Sequence, residues 1–434
     1  MAVVKTKMLT GDMSAFSKTT LSNGVRVLTE SIPSVRSISV GVWIYTGSRD
    51  ERPEESGISH FIEHMVFKGT AKRRMHHIAQ RLESVGGYLN AFTTKEYTCY
   101  YARALDEHLE RAIDLVCDLV LHPEFPQKEL DKEKDVVVEE MKMYEDTPDE
   151  YVFDCFEGVL FKNHPLGRPI IGFEDTVRSF SRDQLLSYMD EHYTPDRIVL
   201  AVAGNARHED VVRIAEKVFS TSTRVPRMHV RMPIDGYEPE QILVKKPIQQ
   251  AHLVLGTRGF PVQDPKRTSL TVLNTLLGGG MSSRLNQNIR EKYGFCYSIY
   301  SFVNMHSDTG DFGVYMGTDA SRIDRSKKLI FKELDKLRTE LVSERVLNQT
   351  KNQVKGSLML GLESMSNRMM RLGRQELYFG RYFTLDEIIA DVDAVTPEDI
   401  RSIAEELFQP EQFSSAILLP LGEGDKEVPV STLA

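Results

Sequence analysis

The chain has 434 residues, with 54 lysines and arginines against 63 aspartates and glutamates, and its net charge is −9. Such a length suits two domains of about 200 residues each. Hydrophobic residues make up 41% of the chain, which is enough for real cores, and the acidic balance argues against a general nucleic-acid-binding protein.

Four cysteines are spread along the chain, and no two of them stand at CxxC spacing. We therefore expect free thiols in a reducing compartment rather than a disulfide framework or a cysteine zinc site. The first thirty residues hold no apolar run long enough for a signal peptide, and no later run is long enough to span a bilayer. A cytoplasmic protein is the expectation, with residues 1–18 as a flexible lead-in.

Strands and helices alternate through the first part of the chain. Apolar residues at Ile38, Val40, Val42 and Ile44 predict a strand with one buried face. The remaining predicted elements in this region are a strand at 25–29, a helix at 57–67, a strand at 97–104 and helices at 106–121 and 127–144. Residues 146–149 interrupt the last helix, and another helix follows.

A helix–strand unit at residues 181–205 has a counterpart at the end of the chain. Ser181 and Thr396 both stand at predicted helix starts, and Pro195 and Pro410 repeat the same offset of 215 residues. The repeat suggests an internal duplication. A polar stretch rich in turn residues predicts a division into an N-terminal α+β domain (1–225), a linker (226–245) and a C-terminal α+β domain (246–434).

The strongest chemical signal is the segment His60-Phe61-Ile62-Glu63-His64. Residues at i, i+3 and i+4 share one face of a helix, so two imidazoles and a carboxylate would lie together there. Zinc accepts such ligands, and the order is the inverse of the His-Glu-x-x-His zincin pattern. The alternative is a pair of surface histidines on an amphipathic helix, but apolar residues surround the trio and indicate a buried segment.

A catalytic zinc usually has three protein ligands, so one more must come from elsewhere. The predicted helix at 127–144 contains Glu133, Glu139 and Glu140, and the first and last of these are seven residues apart and share a face. The apolar run at 136–138 suggests that this helix is buried. For any one of these glutamates, a solvated charged face is the competing interpretation.

These motifs together resemble the pitrilysin-type inverzincin zinc peptidases, in their mitochondrial-processing-peptidase-like branch. The resemblance extends over nearly the whole chain and includes Gly87-Tyr88-Leu89-Asn90-Ala91-Phe92-Thr93, His164-Pro165-Leu166-Gly167 and residues 285–297. It implies one zinc ion per chain with His60, His64 and Glu140 as ligands. It also implies Glu63 as the general base and Glu133 as a carboxylate that orients the ligands.

The same resemblance assigns roles in binding the substrate. Asn90 and Ala91 would lie on an edge strand that pairs with extended substrate, the alternative being an ordinary turn into a strand. Arg290 and Tyr297 match a pair that the family's second half directs toward the active site. From sequence alone, Arg290 is equally a surface cation and Tyr297 a core aromatic.

The family resemblance also implies a clamshell. The working chamber of the family's peptidases contains four α+β domains, whereas this chain supplies two homologous α/β-sandwich halves with mainly antiparallel sheets. A homodimer would complete it, each site taking Arg290 and Tyr297 from the partner, and a heterodimer with an inactive sister subunit is the alternative. The expected activity is zinc-dependent cleavage of extended peptides or unfolded precursor segments.

Two other functions fit the same fold. One is a catalytically inactive structural subunit, like the core subunits of respiratory complexes, and the other is a module that holds peptides without cutting them. The presence of all four zinc-site residues favours the peptidase.

Overall fold

The structure is a computed structural model that describes residues 15–220, 224–227 and 230–422. Residues 1–14 of the predicted lead-in, together with residues 221–223, 228–229 and 423–434, lie outside the described residues. The lead-in prediction is wrong for residues 15–18, because these residues already belong to the first strand, which pairs along its whole length with the second.

The described strands are β1 Ala15–Thr20, β2 Arg26–Ser31, β3 Ser37–Ile44, β4 Tyr88–Thr93, β5 Thr98–Leu105, β6 Ile198–Gly204, β7 Gln241–Lys246, β8 Ala251–Gly259, β9 Cys296–Met305, β10 Gly310–Thr318 and β11 Ser414–Pro420. The described α-helices are α1 Ile58–Met65, α2 Met75–Glu83, α3 Leu109–Leu121, α4 Gln127–Glu145, α5 Pro148–Leu160, α6 Glu174–Ser179, α7 Arg182–His192, α8 His208–Phe219, α9 Arg267–Gly278, α10 Ile323–Thr339, α11 Glu344–Gly361, α12 Met365–Phe379, α13 Leu385–Ala394 and α14 Pro397–Leu407.

The chain forms two compact units. Of the described residues, those within 1–141, 169–231 and 361–382 form the first unit, and those within 142–168, 232–360 and 383–434 form the second. Each sequence half therefore gives one helix to the other unit: α5 belongs to the second unit and α12 to the first. The division predicted at 226–245 stays a prediction.

The two units share one sheet topology. The first sheet has the order β1-β2-β6-β3-β5-β4, and the second has the order β7-β11-β8-β10-β9. In each sheet one pair is parallel, β2 with β6 and β7 with β11, and the other pairs are antiparallel. When β1 is set aside, the two orders correspond strand for strand. This confirms two α+β halves with mainly antiparallel sheets.

The predicted duplication has a direct structural counterpart. Helix α7 spans 182–192 and α14 spans 397–407, which is the predicted offset of 215 residues. A hydroxyl caps each helix start, Ser181 in one and Thr396 in the other, as expected for residues that accept the free N–H groups of a first turn.

Strand β3 differs from its prediction. The sequence predicts one buried face, but both faces are buried, since α12 packs on the side that carries Ser39, Gly41 and Trp43. The Trp43 indole donates to Met369 Sδ at 3.4 Å, and a Cβ built on Gly373 would lie 2.2 Å from the Trp43 ring. Small residues on both elements therefore permit this close approach.

Candidate metal centre

Helix α1 is fixed by burial on one side and by a carboxylate at its start. Ile58, Phe61, Ile62 and Met65 are fully buried in the core of the first unit. Glu51 accepts hydrogen bonds from the backbone N–H groups of Gly57 (2.8 Å) and Ser59 (2.9 Å). These bonds satisfy donors that a helix start leaves free, and the negative charge suits the helix dipole. The remaining face of α1 carries His60, Glu63 and His64.

Helix α4 brings two glutamates to this face. Leu130, Val137, Val138 and Met141 anchor the helix in the core, and Glu133 is buried. Glu139 is exposed, so it does not belong to the cluster. Burial predicted for residues 136–138 is wrong for Val136, which is 50% exposed, because it lies on the outward side of the helix.

The three predicted ligands converge. Glu140 Oε2 lies 3.4 Å from His64 Nε2, and Glu140 Oε1 lies 4.0 Å from His60 Nε2. One ligand atom from each residue lies within 4.8 Å of the others, and within the described part of the chain no second such group of histidine, cysteine, aspartate or glutamate occurs. Two imidazole nitrogens and a carboxylate oxygen are a donor set that zinc accepts.

The surroundings of the two histidines shift their pKa values in opposite directions. Burial, assisted by the neighbouring His64, lowers the pKa of His60 to about 3, so its imidazole is neutral at neutral pH. Burial also acts to lower the pKa of His64, but the Glu133 hydrogen bond and the charges of Glu140, Glu133 and Glu63 outweigh it, and the pKa is raised. The surrounding carboxylates thus favour a positive charge at this point, which a metal cation supplies as well as a proton does.

A second layer of contacts orients His64. Its Nδ1 lies 2.9 Å from Glu133 Oε1, and Lys68 Nζ lies 2.6 Å from Glu133 Oε2. If Nδ1 carries the proton and donates it to Glu133, Nε2 is left with a free lone pair directed at Glu140. Burial tends to raise the pKa of Glu133, yet its hydrogen bonds with His64 and Lys68 lower it, so the carboxylate stays ionised.

Glu63 is held beside the ligands by a residue that the sequence did not identify. Thr93 Oγ1, at the end of β4, donates a 2.6 Å hydrogen bond to Glu63 Oε2. Burial raises the pKa of Glu63, as expected for a carboxylate largely removed from water. Such a group is suited to accepting and returning a proton. Thr93 and Lys68 are both missed by motif reasoning, although Thr93 ends the quoted segment 87–93.

Asn90 and Ala91 lie on β4, which among the described strands pairs with β5 alone and forms one edge of the six-stranded sheet. The predicted edge position is therefore confirmed. Asn90 Oδ1 accepts a 2.9 Å hydrogen bond from the Ala91 N–H, and Asn90 Nδ2 donates to Tyr88 Oη at 2.7 Å. The role of this edge in binding substrate stays a prediction.

Arg290 and Tyr297 belong to the second unit, whereas the predicted zinc ligands belong to the first. Arg290 lies in the π-helical segment Asn286–Glu291. Tyr297 lies on β9, an edge strand, and is 80% exposed, so it is not a core aromatic. Their catalytic roles stay predictions. The four cysteines are free, as expected, and all are buried: Cys99, Cys117, Cys155 and Cys296.

The fold and the site together define a class of protein: two α+β units of one topology, the first with a His-His-Glu group that suits a divalent metal. Family descriptions match along the chain, "Insulinase (Peptidase family M16)" over residues 26–174 and "Peptidase M16 inactive domain" over residues 179–354. The chain belongs to peptidase family M16.

Relatives at high identity carry related names. The chain is 44% identical over 403 residues to the "Uncharacterized zinc protease YmxG" of Bacillus subtilis, a match that spans 93% of this chain and 98% of that protein. It is 40% identical over 397 residues to an "Uncharacterized zinc protease" of Streptomyces coelicolor, and this match spans 90% of this chain and 86% of that protein.

Solved structures share the fold at lower identity. A protease from Helicobacter pylori matches with a TM-score of 0.86 and 21% identity, over 96% of this chain and all of that one (100%). A "peptidase M16 inactive domain" from Pseudomonas fluorescens matches with a TM-score of 0.87 and 20% identity, over 94% of this chain and 98% of that one. Separately, no helix among the described residues is long and apolar enough to cross a membrane.

Proposed function

We propose that this protein is a zinc-dependent endopeptidase that cleaves extended peptides or unfolded precursor segments. The observation that carries the proposal is the convergence of His60, His64 and Glu140 within 4.8 Å, with Glu63 on the same helix face. Bound zinc supplies a Lewis acid for the scissile carbonyl and lowers the pKa of a water molecule.

Glu63 performs the proton transfers in this proposal. Its carboxylate takes the proton of the attacking water and delivers it to the leaving amine. Thr93 leaves Glu63 Oε1 available for this work because it engages Oε2. Glu133 keeps His64 in the tautomer whose Nε2 is a ligand.

The edge of β4 would bind the substrate. An extended peptide that adds to this strand gains main-chain hydrogen bonds, which favour unfolded or short peptides over folded proteins. Arg290 and Tyr297 would donate hydrogen bonds to the carbonyl oxygen on which charge develops, or would hold the substrate backbone. In a homodimer each site would receive this pair from the partner.

The decisive test of the chemistry is Glu63→Gln, assayed on an unstructured peptide. We expect zinc content to stay at the wild-type level and turnover to be lost almost completely, because the amide cannot accept the proton. Glu139→Gln is the matched control, since Glu139 is exposed on α4 beside a predicted ligand. Wild-type turnover in Glu63→Gln, or hydrolysis that persists after chelation of zinc, would refute the mechanism.

A mixing experiment tests the shared site. Glu63→Gln supplies an intact Arg290 and Tyr297, and Tyr297→Phe combined with Arg290→Ala supplies an intact zinc set. If sites are shared across a homodimer, re-equilibrated mixtures of the two inactive variants regain about a quarter of wild-type activity, since half the dimers are mixed and each has one complete site. A mixture that stays inactive would show that each chain uses its own pair or a different partner.

The rival functions predict other results. A structural subunit of this fold would hold no zinc and cut no peptide, whereas a peptide-holding module would bind a peptide without cutting it. Wild-type protein that binds no zinc would favour the first rival, and peptide binding without turnover in the zinc-loaded protein would favour the second.

A further inference from the structure

Arg231 comes from a stretch of chain that is irregular and mostly exposed. Residues 230–240 form neither helix nor strand, and the two neighbours of the arginine, Val230 and Met232, are exposed. The side chain of Arg231, in contrast, is only 13% exposed. It is therefore inserted into the first unit, to which the arginine belongs.

The inserted guanidinium binds two buried acidic residues. It donates to both carboxylate oxygens of Asp50, from Nε to Oδ1 at 2.9 Å and from Nη2 to Oδ2 at 3.0 Å. It also donates from Nη1 to Glu96 Oε1 and from Nη2 to the Glu96 carbonyl oxygen, each at 2.8 Å. The planar guanidinium thus spans both residues, which the compact ammonium of a lysine does less well.

Asp50 and Glu96 come from two segments whose backbones touch. The Ser48 N–H donates to the Thr94 carbonyl oxygen at 3.1 Å. A Cβ built on Gly47 would lie 2.2 Å from that same oxygen, so the approach leaves no room for a side chain at Gly47. Contact between the two segments therefore depends on close backbone packing and on the charges that Arg231 joins.

Each of these segments holds one side of the candidate metal centre. Glu51, the residue after Asp50, accepts hydrogen bonds from the N–H groups at the start of α1. Thr93, directly before the turn that contains Glu96, donates to Glu63 Oε2. Arg231 therefore joins the segment that fixes the helix of Glu63 to the turn that fixes its carboxylate.

The charges in this group favour the presence of Arg231. The side chains of Asp50 and Glu96 are 0% and 1% exposed, and Glu96 Oε1 also accepts from Arg49 Nη1 at 2.8 Å. Removal of Arg231 would leave the two buried carboxylates with one cation fewer, which is strongly unfavourable in a buried group. We expect the two segments to move apart in response.

We propose that Arg231 is a positioning residue for Glu63. It clamps the turn at residues 94–97 against the segment at residues 46–51, and so fixes Thr93 and the start of α1 relative to each other. The proposal rests on the proposed peptidase function, in which Glu63 transfers the proton. It adds to that function a residue from the segment that the sequence predicts as the linker (226–245).

The first test measures kcat and KM on an unstructured peptide at saturating zinc. We expect Arg231→Ala to lower kcat about a hundredfold and Arg231→Lys about tenfold, because a small displacement of a reacting group has costs of this size. KM should change less than about threefold, since the loss concerns the proton transfer rather than substrate binding. Arg231→Lys keeps the charge, so it still tests the role should Arg231→Ala not fold.

A matched control separates positioning from general stability. Arg368 on α12 pairs with the buried Glu30 on β2 in the same unit, so Arg368→Lys also weakens an arginine–carboxylate pair. We expect this variant to keep the wild-type kcat. A loss of kcat in Arg368→Lys equal to that in Arg231→Lys would show that Arg231 has a merely structural role.

A double variant tests whether Arg231 acts through the turn. Thr93→Val and Arg231→Lys should each lower kcat about tenfold, and their combination should stay well below the hundredfold product, because both changes release the same carboxylate. Losses that multiply would show that the two residues act independently, which contradicts the proposal.

Hydrogen exchange supplies a readout that does not depend on turnover. In Arg231→Lys, we expect the amides of Thr94 and Tyr97 in the turn and of Ser59 at the start of α1 to exchange about tenfold faster than in the wild type. Arg368→Lys should leave them unchanged. A wild-type protein that cuts no peptide would refute the proposed function and leave this test standing. Wild-type exchange at these amides in Arg231→Lys would overturn the proposal for Arg231.

Discussion

Removal of the Glu133 carboxylate is expected to weaken zinc binding without touching a predicted ligand. Glu133→Ala takes away the acceptor that lies 2.9 Å from His64 Nδ1 and leaves Lys68 without its 2.6 Å partner. The His64 ring then loses the contact that fixes its tautomer and orientation.

The size of the effect follows from the contacts that are lost. A hydrogen bond to a charged group contributes about 1.5–3 kcal/mol, which corresponds to a change in dissociation constant of roughly 10- to 100-fold. Loss of such outer partners typically costs metal affinity by this same factor. Glu133→Gln keeps an acceptor for His64 but loses the charge and places an amide beside Lys68. We therefore expect this variant to weaken zinc binding by a factor near tenfold.

The assay is competition for zinc against a chromophoric chelator, with zinc affinity as the readout rather than turnover. Glu139→Ala, on the exposed side of the same helix, should bind zinc like the wild type. If Glu133→Ala is folded and keeps wild-type zinc affinity, the orienting role assigned to Glu133 is wrong.

Three further predictions concern other contacts. Thr93→Val removes the 2.6 Å hydrogen bond to Glu63 and should lower kcat/KM about tenfold at unchanged zinc content. Thr93→Ser keeps the hydroxyl and should retain most of the wild-type kcat/KM. Equal rates for the wild type and both variants would contradict the role of Thr93. Gly373→Ala places a methyl group 2.2 Å from the Trp43 ring and should lower the free energy of unfolding by about 1–3 kcal/mol. Denaturant titration followed by Trp43 fluorescence measures this change, and an unchanged midpoint would show that α12 shifts freely. Burial lowers the pKa of His208, whose ring nitrogens each lie 2.8 Å from a threonine hydroxyl, so neutral His208 stabilises the fold and this contribution is lost as the pH falls below the unfolded pKa of about 6.5. His208→Gln should therefore flatten the dependence of the free energy of unfolding on pH between about pH 5 and 7. An unaltered slope would exclude His208 as the cause of that dependence.

The candidate metal-binding face was predictable because its information is local. The spacing of His60, Glu63 and His64 places them together on any helix, and the structure has that helix. The third ligand was less determined: Glu133, Glu139 and Glu140 all stand on one helix, and the family resemblance was needed to choose among them. Convergence of Glu140 with the two histidines supports that choice.

Contacts between distant segments were beyond sequence reasoning. Thr93 reaches Glu63 across 30 residues, and nothing in either segment indicates that the two meet. Strand β3 shows a further obstacle. Ser39 and Gly41 resemble the polar face of a half-exposed strand, but they are small because α12 packs closely there. A residue that is small for packing and a residue that is polar for solvation give the same alternating pattern.

The exchange of helices α5 and α12 has a consequence for dissecting this protein. The first unit needs residues 361–382 to cover the Trp43 side of its sheet, and the second unit needs α5, which is encoded before residue 168. A fragment cut at the middle of the gene would therefore expose an apolar sheet face and lack the helix that shields it. Truncated versions should aggregate, and a shortened chain that stays folded has to retain both α5 and residues 361–382.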